Sequence, residues 1–244
     1  MTTYNEVNKK IDLLVSKSKF YSNKKQALDS IVGLLYNYCF TEETQTTFRN
    51  FPFIEVLKKP SNNFSYDEEN SELLSDIIKN IIMIYKQSEP FTDVLTVLYG
   101  TTLKKDMGQH MTPSNLAFSL NKFIDNTEKD LKENNTISFY DPACGTGALA
   151  LGKLRYVLKN YGKEAVERHD IFLCDIDEKM CIASAVNLEL NCLMHNINYN
   201  QLMIYNTNSI HLYPEKKESN ELIFLLLIPN FLKHRKLEKQ KEAA

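Results

Sequence analysis

An α/β fold, with a helical N-terminal half leading into a mostly parallel sheet, is what this sequence predicts. Three observations carry it. Apolar residues recur at helical spacing from residue 4 to about residue 99, a strand, a glycine loop and a helix follow one another over residues 137–158, and strand and helix patterns then alternate to residue 228. Parallel neighbours need right-handed crossovers, and in such sheets ligands sit beyond the carboxyl ends of the strands.

In the first half the periodic positions are Val7, Ile11, Leu14 and Val15, then Leu28, Ile31, Val32 and Leu35, then Leu73, Leu74, Ile77, Ile78, Ile81, Ile82 and Tyr85. Amphipathic helices of this kind pack on one another. Thr41-Glu42-Glu43 reads as a helix start and residues 59–63 as a turn. A further helix is expected over residues 91–103. Thr112 then suits an N-cap with Pro113 at the first helical position, and Leu116, Leu120 and Phe123 mark an apolar face. Residues 126–135 read as a polar connection into the first strand.

Residues 137–140 are β-branched, aromatic or small, and Asp141-Pro142 ends the extended run. Two of only seven glycines, Gly145 and Gly147, fall within three positions, where the missing Cβ lets backbone N–H groups approach a ligand. A helix over residues 148–158 follows, closed by Gly162 as a C-cap. A short apolar strand over residues 170–177 ends in Asp175 and Asp177, and residues 178–191 are helical again. Strands over residues 202–205 and 221–228 complete the pattern, with Asn208 just past the third.

At 244 residues and 43% apolar content the chain suits one domain of usual size and a smaller one. Lys and Arg (29) nearly balance Asp and Glu (31), so the whole molecule has no field to draw it onto nucleic acid, and any DNA contact needs a local basic patch. Lys9, Lys10, Lys17, Lys19, Lys24 and Lys25 cluster early but read as a solvated helix face. Five cysteines, odd in number and without paired spacing, point to free thiols in a reducing, cytoplasmic setting rather than to zinc. The N-terminus has no secretory pattern, and the longest apolar run, residues 222–228, is far short of the ~20 residues that cross a membrane.

Gly145-x-Gly147-x-x-Ala150, with Asp175 at the end of the next strand, loosely fits a dinucleotide fingerprint. A carboxylate at that place can accept from both hydroxyls of an adenosine ribose, and S-adenosylmethionine has the same ribose as NAD. The residues before the glycines separate the two. Asp141-Pro142-Ala143-Cys144 intervenes between strand and loop and places a carboxylate where a cationic amine can be met.

Asp141-Pro142-Ala143-Cys144-Gly145-Thr146-Gly147 resembles the S-adenosylmethionine motif of adenine-N6 DNA methyltransferases, in particular the modification subunits of type I restriction systems. Gly108-Gln109-His110-Met111-Thr112-Pro113 is similar to that family's upstream motif, with His110-Met111 in place of its aromatic pair. Asp175-Ile176-Asp177 resembles the acidic ribose motif, and Asn208-Ser209-Ile210 the motif after the third strand. The resemblance implies S-adenosylmethionine as cofactor and a truncated Rossmann-like methyltransferase sheet. Asp141 and the backbone of Gly145 and Gly147 would meet the methionine moiety, Asp175 the ribose, and Ile176 and Asn208 the adenine, with Pro142 and Ala143 also part of the cofactor site. Gly108, Gln109, His110, Thr112 and Pro113 would close over the methionine end. The implied domains are a helical one (1–105), a cofactor-binding one (106–232) and a charged tail (233–244).

The same family methylates adenine with an Asn-Pro-Pro-aromatic motif after the fourth strand. No such motif occurs in this sequence, and Pro229-Asn230-Phe231 reads as a strand-ending turn, so no catalytic residue is assigned. A sheet ending at its fourth strand would leave an apolar edge, which a second copy or a second subunit would cover. The expected function is that of a cofactor-binding, adenine-N6 methyltransferase-like protein of type I restriction-modification character, with DNA as partner. The alternatives are a non-catalytic protein that joins or imitates a modification complex and, more remotely, a nicotinamide-binding oxidoreductase.

Overall fold

The computed structural model describes residues 2–41, 44, 66–101, 112–123, 126–133, 136–209 and, for the backbone, 222–227. The expectations placed on Glu42 and Glu43, on residues 59–63, on Gly108, Gln109 and His110, on Pro229-Asn230-Phe231 and on the tail lie outside these residues.

Among the described residues the N-terminal half holds the α-helices α1 (Tyr4–Lys17), α2 (Lys24–Cys39), α3 (Ser71–Gln87) and α4 (Val94–Gly100). Thr3 and Glu6 form a reciprocal capping box at the start of α1, and Asn23 accepts the Gln26 N–H at 2.9 Å at the start of α2. Val7, Ile11 and Leu14 bury one stripe of α1, whereas α2 is buried almost all round between Ala27 and Tyr36 and is therefore the central helix of this half. The helix expected from residue 91 starts three residues later. Phe91 takes a positive φ of 59°, which turns the chain, and Asp93 then caps α4 by accepting the Thr96 N–H at 3.0 Å.

α5 (Ser114–Phe123) follows, with the Pro113 carbonyl accepting its first bond from Ala117 N–H at 3.0 Å. Pro113, one residue beyond Thr112, thus stands at the cap position. The apolar residues of this helix do not form its buried face. Leu116, Leu120 and Phe123 are exposed, Phe123 at 84%, while Ala117 and Asn121 are buried. The cause is close approach: a Cβ on Gly152 would lie 2.7 Å from the Ala117 carbonyl carbon, so only small residues fit where α5 meets α7 (Ala148–Tyr161). Residues 126–135, expected as a connection, contain helix α6 (Thr127–Glu133), whose exposed Lys132 and Glu128 pair at 2.8 Å one turn apart.

The sheet follows, in the order β1 (Ile137–Asp141), β2 (His169–Asp175), β3 (Gln201–Asn206), β4 (Leu222–Leu227). β1, β2 and β3 are parallel, with Phe139 beside Ile171 and Ile171 beside Leu202. α7 and the short α8 (Lys163–Val166) connect the first pair, and α9 (Glu178–His195) the second. β4 instead runs antiparallel to β3, Met203 beside Leu225, a pairing that needs no crossover helix. Hence β1 and β4 are the sheet's edges among the described residues.

α9 is buried on nearly every side from Met180 to Leu193 because the sheet lies on one face and α2, α3 and α4 on the other. One cluster of buried apolar side chains runs from Val7 to Ile204, so the helical half and the α/β half share a core. No described helix is long and apolar enough to cross a membrane.

Candidate functional site

β1 and β2 end side by side, and the chain leaving β1 folds across both ends. Asp141 closes β1, and its Oδ1 accepts the Ala143 N–H at 3.1 Å, making the tight turn that Pro142 begins. Cys144 N–H then donates to the Cys174 carbonyl at 2.9 Å, stitching the loop to β2. Gly145 N–H donates to Asp175 Oδ2 at 2.8 Å, and Gly147 N–H returns to the Cys144 carbonyl at 2.8 Å. Gly145 and Gly147 have φ of 52° and 86°, the left-handed region that other residues enter at a cost.

The two glycines face different ways. Around a Cβ position on Gly145 nothing lies within 4 Å, so its backbone borders open space. A Cβ on Gly147 would stand 3.4 Å from Ser184 Cβ, so this glycine lets the loop settle against α9 and start α7.

Asp141 is 4% exposed, and its Oδ2 is buried with no hydrogen-bond partner among the described residues. Burial, and secondarily the charge of Asp175, push its carboxyl above the ordinary carboxylate range, against the Ala143 N–H that favours the charged form. A cationic donor at Oδ2 would satisfy the orphaned acceptor and offset the burial. Asp175 differs. Both of its oxygens already accept backbone N–H groups, Gly145 at Oδ2 and Asp177 at Oδ1, the latter at 2.9 Å. Each carboxylate oxygen has a second lone-pair site, so acceptor capacity remains for hydroxyl groups.

Ile176 projects beside Asp175 with 77% exposure, an apolar side chain standing in solvent at the carboxyl edge of the sheet. Asp177 caps α9 by accepting the Lys179 N–H at 2.9 Å. The turn is closed from β3: the Asn206 amide donates to the carbonyls of Asp175 at 3.1 Å and Ile176 at 3.0 Å, and Thr207 N–H donates to the Asp175 carbonyl at 3.0 Å. Asn208, exposed, comes two residues later.

The structure therefore gathers Asp141, Pro142, Ala143, Gly145, Gly147, Asp175 and Ile176 into one cradle, with Asn208 at its β3 side. Thr112 and Pro113 stand one helix away, before α5, which packs on the helix that the glycine loop feeds. Cys144 lies beneath, its thiol pushed well above its ordinary value by contact with Cys181 and by burial. It is buried and packs under the loop against Ser184 of α9. No group of side chains suited to a metal ion occurs among the described residues.

Sequence reasoning did not reach Asn206 or Asn187. Asn206 carried no signal beyond its place at the end of β3. Asn187 did carry one: it is an amide set among Ala183, Ala185, Val186, Leu188 and Leu190, and a polar side chain on a mostly apolar stretch of helix needs a partner.

The crystal structure described as a modification subunit of a type I restriction enzyme from Vibrio vulnificus YJ016 superposes with a TM-score of 0.50 at 16% identity, over 86% of this chain and 57% of that one. A class I S-adenosylmethionine-dependent methyltransferase from Listeria monocytogenes gives 0.46 at 13% identity, over 86% of this chain and 54% of the other. The chain thus spans little more than half the length of either. No curated protein sequence matches it. The model of the N-6 DNA methylase family matches residues 92–241, which begins just before Asp93 and takes in the whole cradle, and the chain belongs to that family.

Proposed function

We propose that the cradle binds S-adenosylmethionine, and that the chain is the methyl-donor module of an adenine-N6 DNA methyltransferase of type I restriction-modification character. The observation that carries this reading is the buried, unpartnered Asp141 Oδ2 at the mouth of a glycine loop. In the proposed complex Oδ2 accepts from the ammonium of the methionine moiety. The backbone at Gly145, with open space beside it, borders the same moiety. Asp175 keeps the loop in place and offers its remaining lone pairs to the ribose hydroxyls. Ile176 covers one face of the adenine, and Asn208 lies toward its edge. Gly108, Gln109, His110, Thr112 and Pro113 are assigned to the methionine end on the family motif.

When bound, the cofactor supplies an electrophilic methyl group on a sulfonium. This chain's residues orient it, since placement of donor and acceptor contributes much of the rate. An adenine amino group is a weak nucleophile that needs acceptors for its hydrogens and a stacking ring for a base drawn out of the duplex. The sequence has no Asn-Pro-Pro-aromatic motif to do this, so the proposal for this chain stops at donor binding. A different subunit would supply the base-binding part, a second copy or a second subunit would cover the edge of the sheet, and duplex DNA is the substrate class.

Titration calorimetry with S-adenosylmethionine and with NAD tests the reading. Binding of S-adenosylmethionine alone is expected. Binding of NAD alone overturns it, and binding of neither favours a protein that joins a modification complex without using a cofactor.

A further inference from the structure

The floor of the glycine loop is held by side chains from outside it. Asn187 of α9 is fully buried and every polar atom of its side chain is used. Its amide donates to the Thr146 carbonyl at 2.9 Å and to Asp93 Oδ1 at 2.8 Å, and its own oxygen accepts the Tyr85 hydroxyl at 2.7 Å. Asp93 Oδ1 also takes the Thr96 N–H, and the Thr96 and Thr146 hydroxyls share a short bond. Tyr85, Asp93 and Thr96 belong to the helical half, 50 to 102 positions from their partners in the chain.

Packing alone does not call for this arrangement, because apolar side chains at position 187 and at its partner positions would fill the same space with fewer buried polar atoms to satisfy. What the network does hold is one peptide unit. The Thr146 carbonyl is pinned to Asn187 and the Gly147 N–H of the same planar unit to the Cys144 carbonyl. With both ends fixed, the left-handed φ of Gly147 and the direction of the first N–H groups of α7 are fixed too.

We infer that Asn187, itself held by Asp93 and Tyr85, is a positioning residue that sets the path of the glycine loop and through it the affinity for S-adenosylmethionine. The affinity part rests on the reading of the cradle given above. The helical half is then part of the binding apparatus, since two of the three groups bonded to Asn187 come from it.

The test pairs cofactor affinity with hydrogen exchange at residues 145–147 in the ligand-free protein. Asn187→Leu keeps the branched shape, with a larger volume, and removes the bonds; Asp93→Asn keeps the oxygen that Asn187 and Thr96 use, whereas Asp93→Leu does not. Asn187→Leu and Asp93→Leu are expected to weaken S-adenosylmethionine binding about tenfold or more and to speed exchange at residues 145–147 while α1 and α2 stay protected. Asp93→Asn is expected to restore both. Should Asn187→Leu not fold, Tyr85→Phe removes a single hydroxyl and is expected to shift both readouts the same way by less. Wild-type affinity in the variants, exchange that rises uniformly, or Asp93→Asn as poor as Asp93→Leu overturns the inference. A wild-type protein that binds no S-adenosylmethionine, yet whose loop amides are freed by Asn187→Leu, overturns the methyl-donor reading and leaves the loop clamp standing.

Discussion

Tyr99 donates its hydroxyl to Asp29 Oδ1 at 2.9 Å, both side chains buried, and so joins α4 to α2 across 70 positions of sequence. Asp29 Oδ2 meets Lys179 Nζ of α9 at 3.0 Å and Lys25 Nζ at 3.4 Å. One carboxylate thus ties the helical half to the helix that follows β2.

Removing that carboxylate leaves a buried phenol without its acceptor and two ammonium groups without a counter-charge. Asp29→Ala is expected to cost about 2 kcal/mol, mostly from the buried Tyr99 hydroxyl that loses this acceptor, because both ammonium groups reach solvent. Tyr99→Phe, which leaves Asp29 its two lysines, should cost only about 1 kcal/mol. Urea unfolding measures both. Equal losses would show that the lysine contacts are idle.

Little of this linkage is visible in the sequence, and the reason is physical. The strand, loop and helix around Gly145 are local: β-branched residues, a turn dipeptide, scarce glycines and a C-cap at Gly162 all act within a few positions, and the structure has them where the residues place them. The Asp29–Tyr99 and Asp93–Asn187 pairs join residues 70 and 94 positions apart, and no local pattern reports them. The apolar periodicity of α5 misled for a related reason. Its buried face was decided by how closely α7 approaches at Gly152, a property of the neighbour. Likewise the direction of β4 depends on its pairing with β3, not on its own run of leucines.

The approach at Gly152 makes a sharp prediction. Alanine favours a helix over glycine by about 1 kcal/mol, so Gly152→Ala would stabilise an isolated α7. In the folded chain its methyl would meet the backbone carbonyl carbon of Ala117 at 2.7 Å, which cannot rotate away. α5 must move, and a net loss of about 1–3 kcal/mol is expected by denaturant unfolding, the scale of overpacking. A stabilised variant would mean that α5 is not seated on α7 in solution.

Asp141 should make stability and binding pull in opposite directions. Its carboxyl is raised by burial, so the folded state holds the proton more tightly than the unfolded chain does. Below the ordinary carboxylate value both states are protonated and nothing is lost. As pH rises, the unfolded chain releases its proton first, stability falls, and the whole penalty is present above the folded-state value. Asp141→Asn retains an oxygen for the Ala143 N–H and removes the charge. In the ligand-free protein it should be at least as stable as wild type at pH 7, with the advantage fading toward pH 4, while S-adenosylmethionine binding weakens. A stability difference that does not change between those pH values would mean that Asp141 finds a counter-charge in the free protein.

Ile176 and Asp175 are adjacent but should fail differently. Ile176 stands 77% exposed, so truncating it to alanine removes almost no packing in the free protein and should leave the unfolding midpoint unchanged. Against an adenine face the same truncation loses buried apolar contact worth about 1–2 kcal/mol, a weakening of roughly five- to thirtyfold. Asp175 holds Gly145 and Asp177 by their N–H groups, so Asp175→Ala should lower both stability and affinity, the affinity by about 1.5–3 kcal/mol. Calorimetric titration beside thermal unfolding separates the two. If Ile176→Ala binds S-adenosylmethionine as tightly as wild type, the adenine does not lie against this edge of the sheet, and Asp175 then owes its effect to the loop it braces.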